Sequence, residues 1–398
     1  MAAQPADNLV FKGSLGAYKM MGNNGATAYN PFQNMDWFSS ETPDDGTIRL
    51  REAYFLYFGD MGDVHYSASF GRRPSIDGFL TNLRADNVDP ASPIGHNINM
   101  EFDGASFKFD LDKVTGVSGM YFKICLGRGN SNADSKYGAF DNFQGTANFS
   151  SFGNLAYTES NLNSPNMDLA GLIFQAYDDG QYKIMANLFK GWNMMGANFQ
   201  DLNMTAGTVD VNLVDVGDLT GGALSLQVNG IGNGISDFLD DSIFFISYAF
   251  SQTDPKGTHG YFNGMTYDPA ATEMLGSPDK ETGYSIYTGI QIPGFMKGQR
   301  AGFEFNHGSK YWRSFTYGED TLIGSKLAAR GDAYELYYTL PIVGKNLTAQ
   351  LSYLYINYDY TGSDMFFDGN TGAPNSTATT PNSVESASNI RASIRYRY

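Results

Sequence analysis

The chain closes on Asn389-Ile-Arg-Ala-Ser-Ile-Arg-Tyr-Arg-Tyr398, and the reading of these ten residues decides the fold. Side chains of a strand alternate between its two faces. One face collects Ile390, Ala392, Ile394, Tyr396 and Tyr398; the other collects Asn389, Arg391, Ser393, Arg395 and Arg397. Three guanidinium groups cannot stand in a dry core without partners. Their face must be roomy and aqueous, and the apolar face must be covered by something other than a core. An amphipathic strand of a soluble sandwich is the bland alternative.

Composition narrows the choice. The chain has 398 residues, 42% hydrophobic and only 17% charged, with 46 Gly, 26 Tyr and 29 Phe. Average domains are about 25% charged. No apolar run approaches the ~18 residues that span a bilayer as a helix, so a helical membrane protein is excluded. Low charge, abundant aromatics and no spanning helix predict an all-β protein, a transmembrane antiparallel up-and-down β-barrel integral to the bacterial outer membrane. Inward polar residues dilute the outward apolar ones in such a barrel, and the mean hydropathy of -0.32 fits that dilution.

Alternating segments recur between breaks rich in Gly, Asn and Asp. Ser242 to Phe250 is a clear case, with Phe244, Ile246, Tyr248 and Phe250 on one face. Breaks alternate between short ones, such as Gly59 to Asp63 and Asp178 to Gly180, and long ones, such as Pro74 to Asn97 and Gly308 to Arg330. Short periplasmic turns and long extracellular loops explain that rhythm. We read one domain over residues 1–398, with residues 1–7 as a short periplasmic extension. The segments predict about 16 strands, with 14 as the other even count. The uncertain stretch is Gly196 to Asp241, where alternation is weakest. Placing Arg49 and Arg51 inside turns Glu52 towards lipid unless a bulge intervenes.

The arginines carry the functional expectation. Arg49 and Arg51 share a face of the second segment, Arg72 and Arg73 end the third, and Arg391, Arg395 and Arg397 line the last. In a closed barrel the last strand meets the first, so these groups would form a cationic strip on one lumen wall. Lumen charges set ion preference. The loop from Pro74 to Asn97 offers Asp77, Asp86 and Asp89 as acids that could face the strip from within the lumen. The competing reading is that the arginines merely solvate the lumen or pair with acids such as Asp110 and Glu304. Ile394, Tyr396 and Tyr398 make an aromatic C-terminus of the kind read by barrel-insertion machinery.

Other signals are weaker. The net charge of -16 argues against nucleic acid, and its acids gather in loops, as at Asp44-Asp45, Asp240-Asp241 and Glu319-Asp320. A single cysteine, Cys125, rules out an internal disulfide framework. The four histidines lack metal-ligand spacing, and no nucleophile–base pair stands out, so neither cofactor, metal nor catalysis is expected. Met1 to Pro5 lacks a signal-peptide pattern, so the chain reads as a mature or trimmed form. Trp37, Trp192 and Trp312 fall at strand ends or in loops, where interfacial anchors are expected.

Four motifs carry a family resemblance: Phe70-Gly-Arg-Arg-Pro-Ser-Ile-Asp-Gly78, His307-Gly-Ser-Lys-Tyr-Trp312, Lys326-Leu-Ala-Ala-Arg-Gly-Asp-Ala-Tyr334 and Tyr353-Leu-Tyr-Ile-Asn-Tyr-Asp-Tyr-Thr-Gly-Ser363. They resemble uncharacterised porin-like outer-membrane proteins, found mainly in anaerobic, sulfur- or metal-respiring Gram-negative bacteria. The resemblance implies an outer-membrane barrel and lends no substrate or catalytic residue. Many members begin with a periplasmic segment, whereas this chain starts at the barrel.

The expectation is a porin, a water-filled channel for passive diffusion of small polar or charged solutes. The alternative is a barrel sheathing a multihaem cytochrome partner for electron transfer; the chain has no Cys-x-x-Cys-His, so the haem would come from that partner. An enzyme would need a nucleophile and base at the lumen mouth. Expected partners are outer-membrane lipid and lipopolysaccharide, the insertion machinery, and small solutes or ions. A homo-oligomer stays open.

Overall fold

A computed structural model describes residues 2–17, 48–75, 77–87, 90–130, 165–203, 208–256, 261–263, 266–268, 275–316, 323–362, 374–381 and 383–397. The elements run β1 (Ala2–Ala6), β2 (Leu9–Ala17), β3 (Ile48–Met61), β4 (Val64–Ser75), β5 (Gly78–Phe79), α1 (Thr81–Arg84), β6 (Ala91–Ile94), β7 (Met100–Asp110), α2 (Asp112–Thr115) and β8 (Tyr121–Asn130). They continue with β9 (Met167–Asp178), β10 (Tyr182–Asn203), β11 (Thr208–Asn229), α3 (Asp237–Asp240), β12 (Ile243–Pro255), β13 (Tyr261–Asn263), β14 (Thr266–Asp268), β15 (Thr282–Pro293), β16 (Arg300–Gly308), β17 (Gly331–Val343), β18 (Leu347–Tyr358) and β19 (Ser386–Tyr396).

Fifteen strands form one sheet in the order β1-β2-β3-β4-β7-β8-β9-β10-β11-β12-β15-β16-β17-β18-β19. Neighbours are adjacent in sequence and antiparallel, the up-and-down topology that the alternation predicts. The sheet thus has one strand fewer than the expected 16 and one more than 14. Residues 1–7 were expected as an extension, but Ala2–Ala6 pairs with β2 as a strand. The uncertain stretch from Gly196 to Asp241 holds the end of β10 and all of β11, which pairs with β10 from Tyr182↔Val228 to Asn203↔Thr208. A strand crosses a bilayer with about 9–11 residues. The 22 residues of β10 and of β11 therefore run well beyond that on the loop side. No lipid face enforces alternation there, which is why the pattern fades after Gly196.

The sheet has two faces of opposite character. On β12, Ile246 and Tyr248 are exposed on the outer face, while Phe245, Ser247, Ala249 and Ser251 are buried on the inner one. On β19, Ile390, Ile394 and Tyr396 are exposed on the outer face as expected. Aromatic pairs knit the outer face across strands, including Phe70–Phe107 edge-on at 5.6 Å and Tyr248–Tyr284 stacked at 6.3 Å.

Among the described residues the sheet ends at β1 and β19, and these edges pair only with β2 and β18. The expected pairing of the last strand with the first is not formed among the described residues. Curvature is nonetheless marked, because one inward segment of about twenty residues touches side chains from β10 round to β19, as set out below. A bulge resolves the problem of Glu52. Ser14 pairs with Glu52 and the next residue, Leu15, pairs with Leu50, so Arg51 is the extra residue. Glu52 thereby shares the inner face with Tyr54, and Leu50 returns to the outer face.

Candidate functional site

The segment between β4 and β7 folds back against the inner face of the sheet. Its apolar residues Phe79, Leu80, Leu83 and Ile94 are buried. Their burial offsets the cost of ordering a long connection. Locally, β5 pairs in parallel with β6, and the single-turn helix α1 follows a tight entry at Leu80, whose φ is 83°. Side-chain hydrogen bonds hold that strained residue: Leu80 N–H donates to Asn82 Oδ1 at 3.0 Å, and Thr81 Oγ1 donates to the Gly78 carbonyl at 3.0 Å.

A helix end leaves carbonyls without backbone partners. Here the sheet supplies side-chain donors in sequence, adding to the Asp86 N–H that already reaches the Leu83 carbonyl at 3.1 Å. Gln291 on β15 donates to the Leu83 carbonyl at 3.2 Å, and Gln350 on β18 donates to the Arg84 carbonyl at 2.8 Å. Arg395 and Arg397 at the end of β19 both donate to the Ala85 carbonyl, and Arg397 also to that of Asp86. The Arg84 side chain reaches Glu335 on β17 at 3.3 Å.

His96 forms the second clasp. It is fully buried, with Nδ1 2.8 Å from Ser247 Oγ and Nε2 2.9 Å from Ser285 Oγ. Ser285 spends its own proton on Asn306 Oδ1, so His96 Nε2–H is the donor to Ser285. Ser225 donates to Ser247 at 2.7 Å, which leaves the Ser247 proton for His96 Nδ1. Asn306 continues the chain to the Lys326 carbonyl at 2.9 Å. The imidazole is therefore neutral, and burial pushes its pKa down to about 3.

A second segment, on either side of residues 317–322, packs beside the first. Trp312, Arg313, Phe315, Leu327 and Arg330 are buried. Phe315 N–H donates to the Asn97 carbonyl at 3.0 Å, and Asn99 N–H returns a bond to the Phe315 carbonyl at 2.5 Å. Lys326 from this segment bridges Glu304 and Glu335, and Tyr287 donates to Glu304 at 2.6 Å. The inner wall from β10 to β18 is thus covered by two interlocked segments. Lys12 on β2, and Arg391 and Arg395 on β19, remain exposed on the inner face.

The predicted site residues divide accordingly. Arg395 and Arg397 meet the inward segment through its backbone, and Asp86 lies 4.0 Å from Arg397. Asp77 and Asp86 both adopt left-handed turn conformations, with φ of 50° and 51°, so each also shapes the loop. Arg391 stands on the inner face opposite Ser352. Arg73 points inward, 2.8 Å from Ser106 Oγ and over the Tyr54 ring.

Arg72 is a correction. Consecutive strand residues face opposite ways, and Arg72 lies on the outer face, paired with Asp103 at 2.9 and 3.0 Å. It begins a cross-strand row, Arg72–Asp103–Arg128–Asp168, near the loop-side limit of the apolar band. The side chain of Arg49, and all of Asp89 and Tyr398, lie outside the described residues. Asp110 pairs with Lys108 and Glu304 with Lys326, not with the arginines. Of the tryptophans, Trp192 is exposed on the outer face, whereas Trp312 is buried.

Sequence reading missed His96, Lys326 and the Glu304–Glu335 pair. The two glutamates are direct cross-strand partners. Two carboxylates at that spacing on an inner face demand a cation, and that signal could have been found. Among the described residues no group of His, Cys, Asp and Glu is arranged to hold a metal ion.

These features define an up-and-down, barrel-like sheet with an internally folded loop. Over residues 1–398 the chain belongs to the family described as Protein of unknown function (DUF3373). No curated protein matches the chain. Among solved structures, it is similar to OmpT, an outer membrane protein of Vibrio cholerae, at 11% identity and a TM-score of 0.43, covering 99% of this chain and 86% of that one. It is also similar to OmpF of Salmonella typhi in complex with daunomycin, at 11% identity and a TM-score of 0.46, covering 99% and 88%.

Proposed function

We propose that this protein is an integral outer-membrane channel of the porin type, in which the inward segment from Gly78 to Asn99 narrows a passage for small polar or charged solutes. One observation carries the reading: the outer face is an exposed apolar and aromatic band, while the inner face is polar and clasps its own loop. Water-soluble monomers rarely expose apolar surface on that scale, and the hydrocarbon of a bilayer is the solvent that fits it. The narrowed passage runs beside Lys12, Arg391 and Arg395, where the inner face stays exposed. The arginines there give it a preference for anions. Side chains at the constriction do this by charge, without covalent chemistry.

The sheath reading is weaker because the wall against which a cytochrome would stand is already covered by Phe79, Leu83, Trp312 and Leu327. The test is single-channel recording of the purified chain in planar bilayers. Discrete conductance steps with an anion-selective reversal potential are expected; a bilayer that stays silent at high protein load refutes the channel.

A further inference from the structure

The inner wall from β4 to β10 holds a recess that the clasped loop leaves open. Gly71, Gly104 and Gly127 are cross-strand partners in a row on β4, β7 and β8. Close backbone approach requires glycine at the first two: a Cβ would lie 2.2 Å from the Ala53 carbonyl at Gly71, and 2.0 Å from the Leu126 carbonyl at Gly104. Without side chains the wall recedes there. The recess runs along it with about 50 Å³ of free space. Ile98, Met100, Leu169, Ile173, Phe189 and Phe315 make its lining mainly apolar. From β4 to β10 is four strand spacings, about 19 Å along the wall, so the recess is a narrow slot rather than a sphere.

One end of the slot is rich in donors. The Arg73 guanidinium reaches it with one N–H on Ser106 Oγ, and among the described residues no carboxylate lies within ion-pair distance of it. The Ser106 hydroxyl, having accepted from Arg73, keeps its proton to donate. Ser69, the cross-strand partner of Ser106, is 2% exposed and its Oγ has no hydrogen-bond partner, but it stands outside the residues that line the slot. A buried hydroxyl left unmatched costs free energy. At the far end the Asn187 Oδ1 is also buried and unmatched, and Asn187 lines the slot. A planar guanidinium with the Ser106 hydroxyl beside it matches a carboxylate, and an apolar slot leading away from it matches an unbranched alkyl chain.

We propose that this slot binds straight-chain aliphatic monocarboxylates, with the carboxylate on Arg73 and Ser106 and the chain lying along the glycine row towards Phe189. The inference deepens the channel reading by naming a solute class that the lumen wall holds, and it can stand or fall separately. Cys125 lines the slot beside Ser106 and serves as a reporter.

The experiment is calorimetric titration of the full chain in lipid nanodiscs with acetate, butyrate, hexanoate and octanoate, and with hexanol as a neutral control. Saturable binding is expected, tightening about fourfold per added methylene until the slot is full, with hexanol at least tenfold weaker than hexanoate. Arg73→Gln should lose tenfold or more, and Arg73→Lys less. Hexanoate should slow modification of Cys125 by a small methanethiosulfonate reagent in the wild type, a readout that needs no variant to fold. Equal affinity of Arg73→Gln and wild type, binding of hexanol as tight as hexanoate, or an unprotected Cys125 would overturn the site. Saturable, Arg73-dependent binding in a protein that passes no current would support the site and sink the channel.

Discussion

Glu304 and Glu335 stand directly opposite one another on β16 and β17, and both carboxylates close on the single ammonium of Lys326. Lys326 belongs not to the sheet but to the inward segment that precedes β17. The two acids are nearly inaccessible, so neither can turn to water for relief. The pair therefore acts as a socket, and the loop lysine as the plug that holds its segment to the wall. Arg84, from the other inward segment, adds a second cation at Glu335.

Removing the plug should be costly. Breaking a buried ion pair by deleting one partner typically destabilises by about 3–5 kcal/mol, because the remaining charge is left uncompensated. Lys326→Met is expected to lower the temperature at which the folded form converts to the unfolded form on unheated gels. Adding Glu304→Gln and Glu335→Gln to Lys326→Met should recover part of the loss, since no buried carboxylate is then orphaned and only the Arg84 guanidinium loses a partner. A triple variant no more stable than the single one would mean that the cluster does not anchor the segment.

His96 makes the loop clasp sensitive to acid. Its folded-state pKa is depressed to about 3, below an unfolded value near 6.5. In that window the released state binds more protons than the clasped one, so docking is fully stable above about pH 6.5 and weakens as pH falls towards 3. The slope approaches about 1.4 kcal/mol per pH unit. Protonation also gives both ring nitrogens a donor, and the Ser247 hydroxyl proton then has no acceptor at His96. The other groups facing the ring are neutral: Ser285, Tyr287 and Trp312. Conductance is expected to rise or become noisy between pH 6 and pH 4 in the wild type, and His96→Gln should flatten that profile. Identical profiles would remove the histidine from the clasp.

Much of this is legible in the amino-acid sequence. Period-two patterning placed the strands because each core stretch has lipid on one side and polar lumen on the other. Ile390 and Ile394 show it plainly. The pattern failed where that constraint is missing, in the protruding ends of β10 and β11. It also failed for Arg72, because a run of two arginines must split between faces and sequence alone did not say which belongs inside. The inward loop was suggested by its acids, yet its docking rests on carbonyls of Leu83, Arg84 and Ala85, which carry no residue-specific signature. His96 was invisible for a related reason: its partners, Ser247 and Ser285, come from strands more than 150 residues away.

Arg395 and Arg397 sit where the open side of the inner face meets the loop. Replacing both with Ala should act in two ways. Loss of the clasps on the Ala85 and Asp86 carbonyls should loosen the constriction and raise conductance modestly. Loss of two positive charges should move the reversal potential towards cation preference, more at 0.05 M salt than at 1 M, since the Debye length falls from beyond about 10 Å to about 3 Å. Adding Arg49→Ala and Arg51→Ala tests the remaining part of the expected strip. If selectivity at low salt is unaltered in the double variant, these arginines serve only to hold the loop.

The terminus itself is the last test. Tyr396 is 68% exposed on the outer face, in line with Ile394 and Ile390. The Arg397 backbone N–H donates to the Asn346 carbonyl at 2.7 Å, and Asn346 Nδ2 donates to the Arg397 carbonyl at 2.9 Å. With its ring exposed rather than packed, Tyr396 adds little to stability of the folded sheet. It is well placed to be read by insertion machinery before folding. Deleting Tyr396 to Tyr398 should therefore lower the amount of folded, heat-modifiable protein in the outer membrane several-fold. Arg397 falls within that deletion, so a Tyr396→Ala and Tyr398→Ala variant, which keeps the arginine, separates the two effects. The same loss in that variant assigns the role to the aromatic residues. Normal insertion of both forms would show that the ending is incidental to assembly.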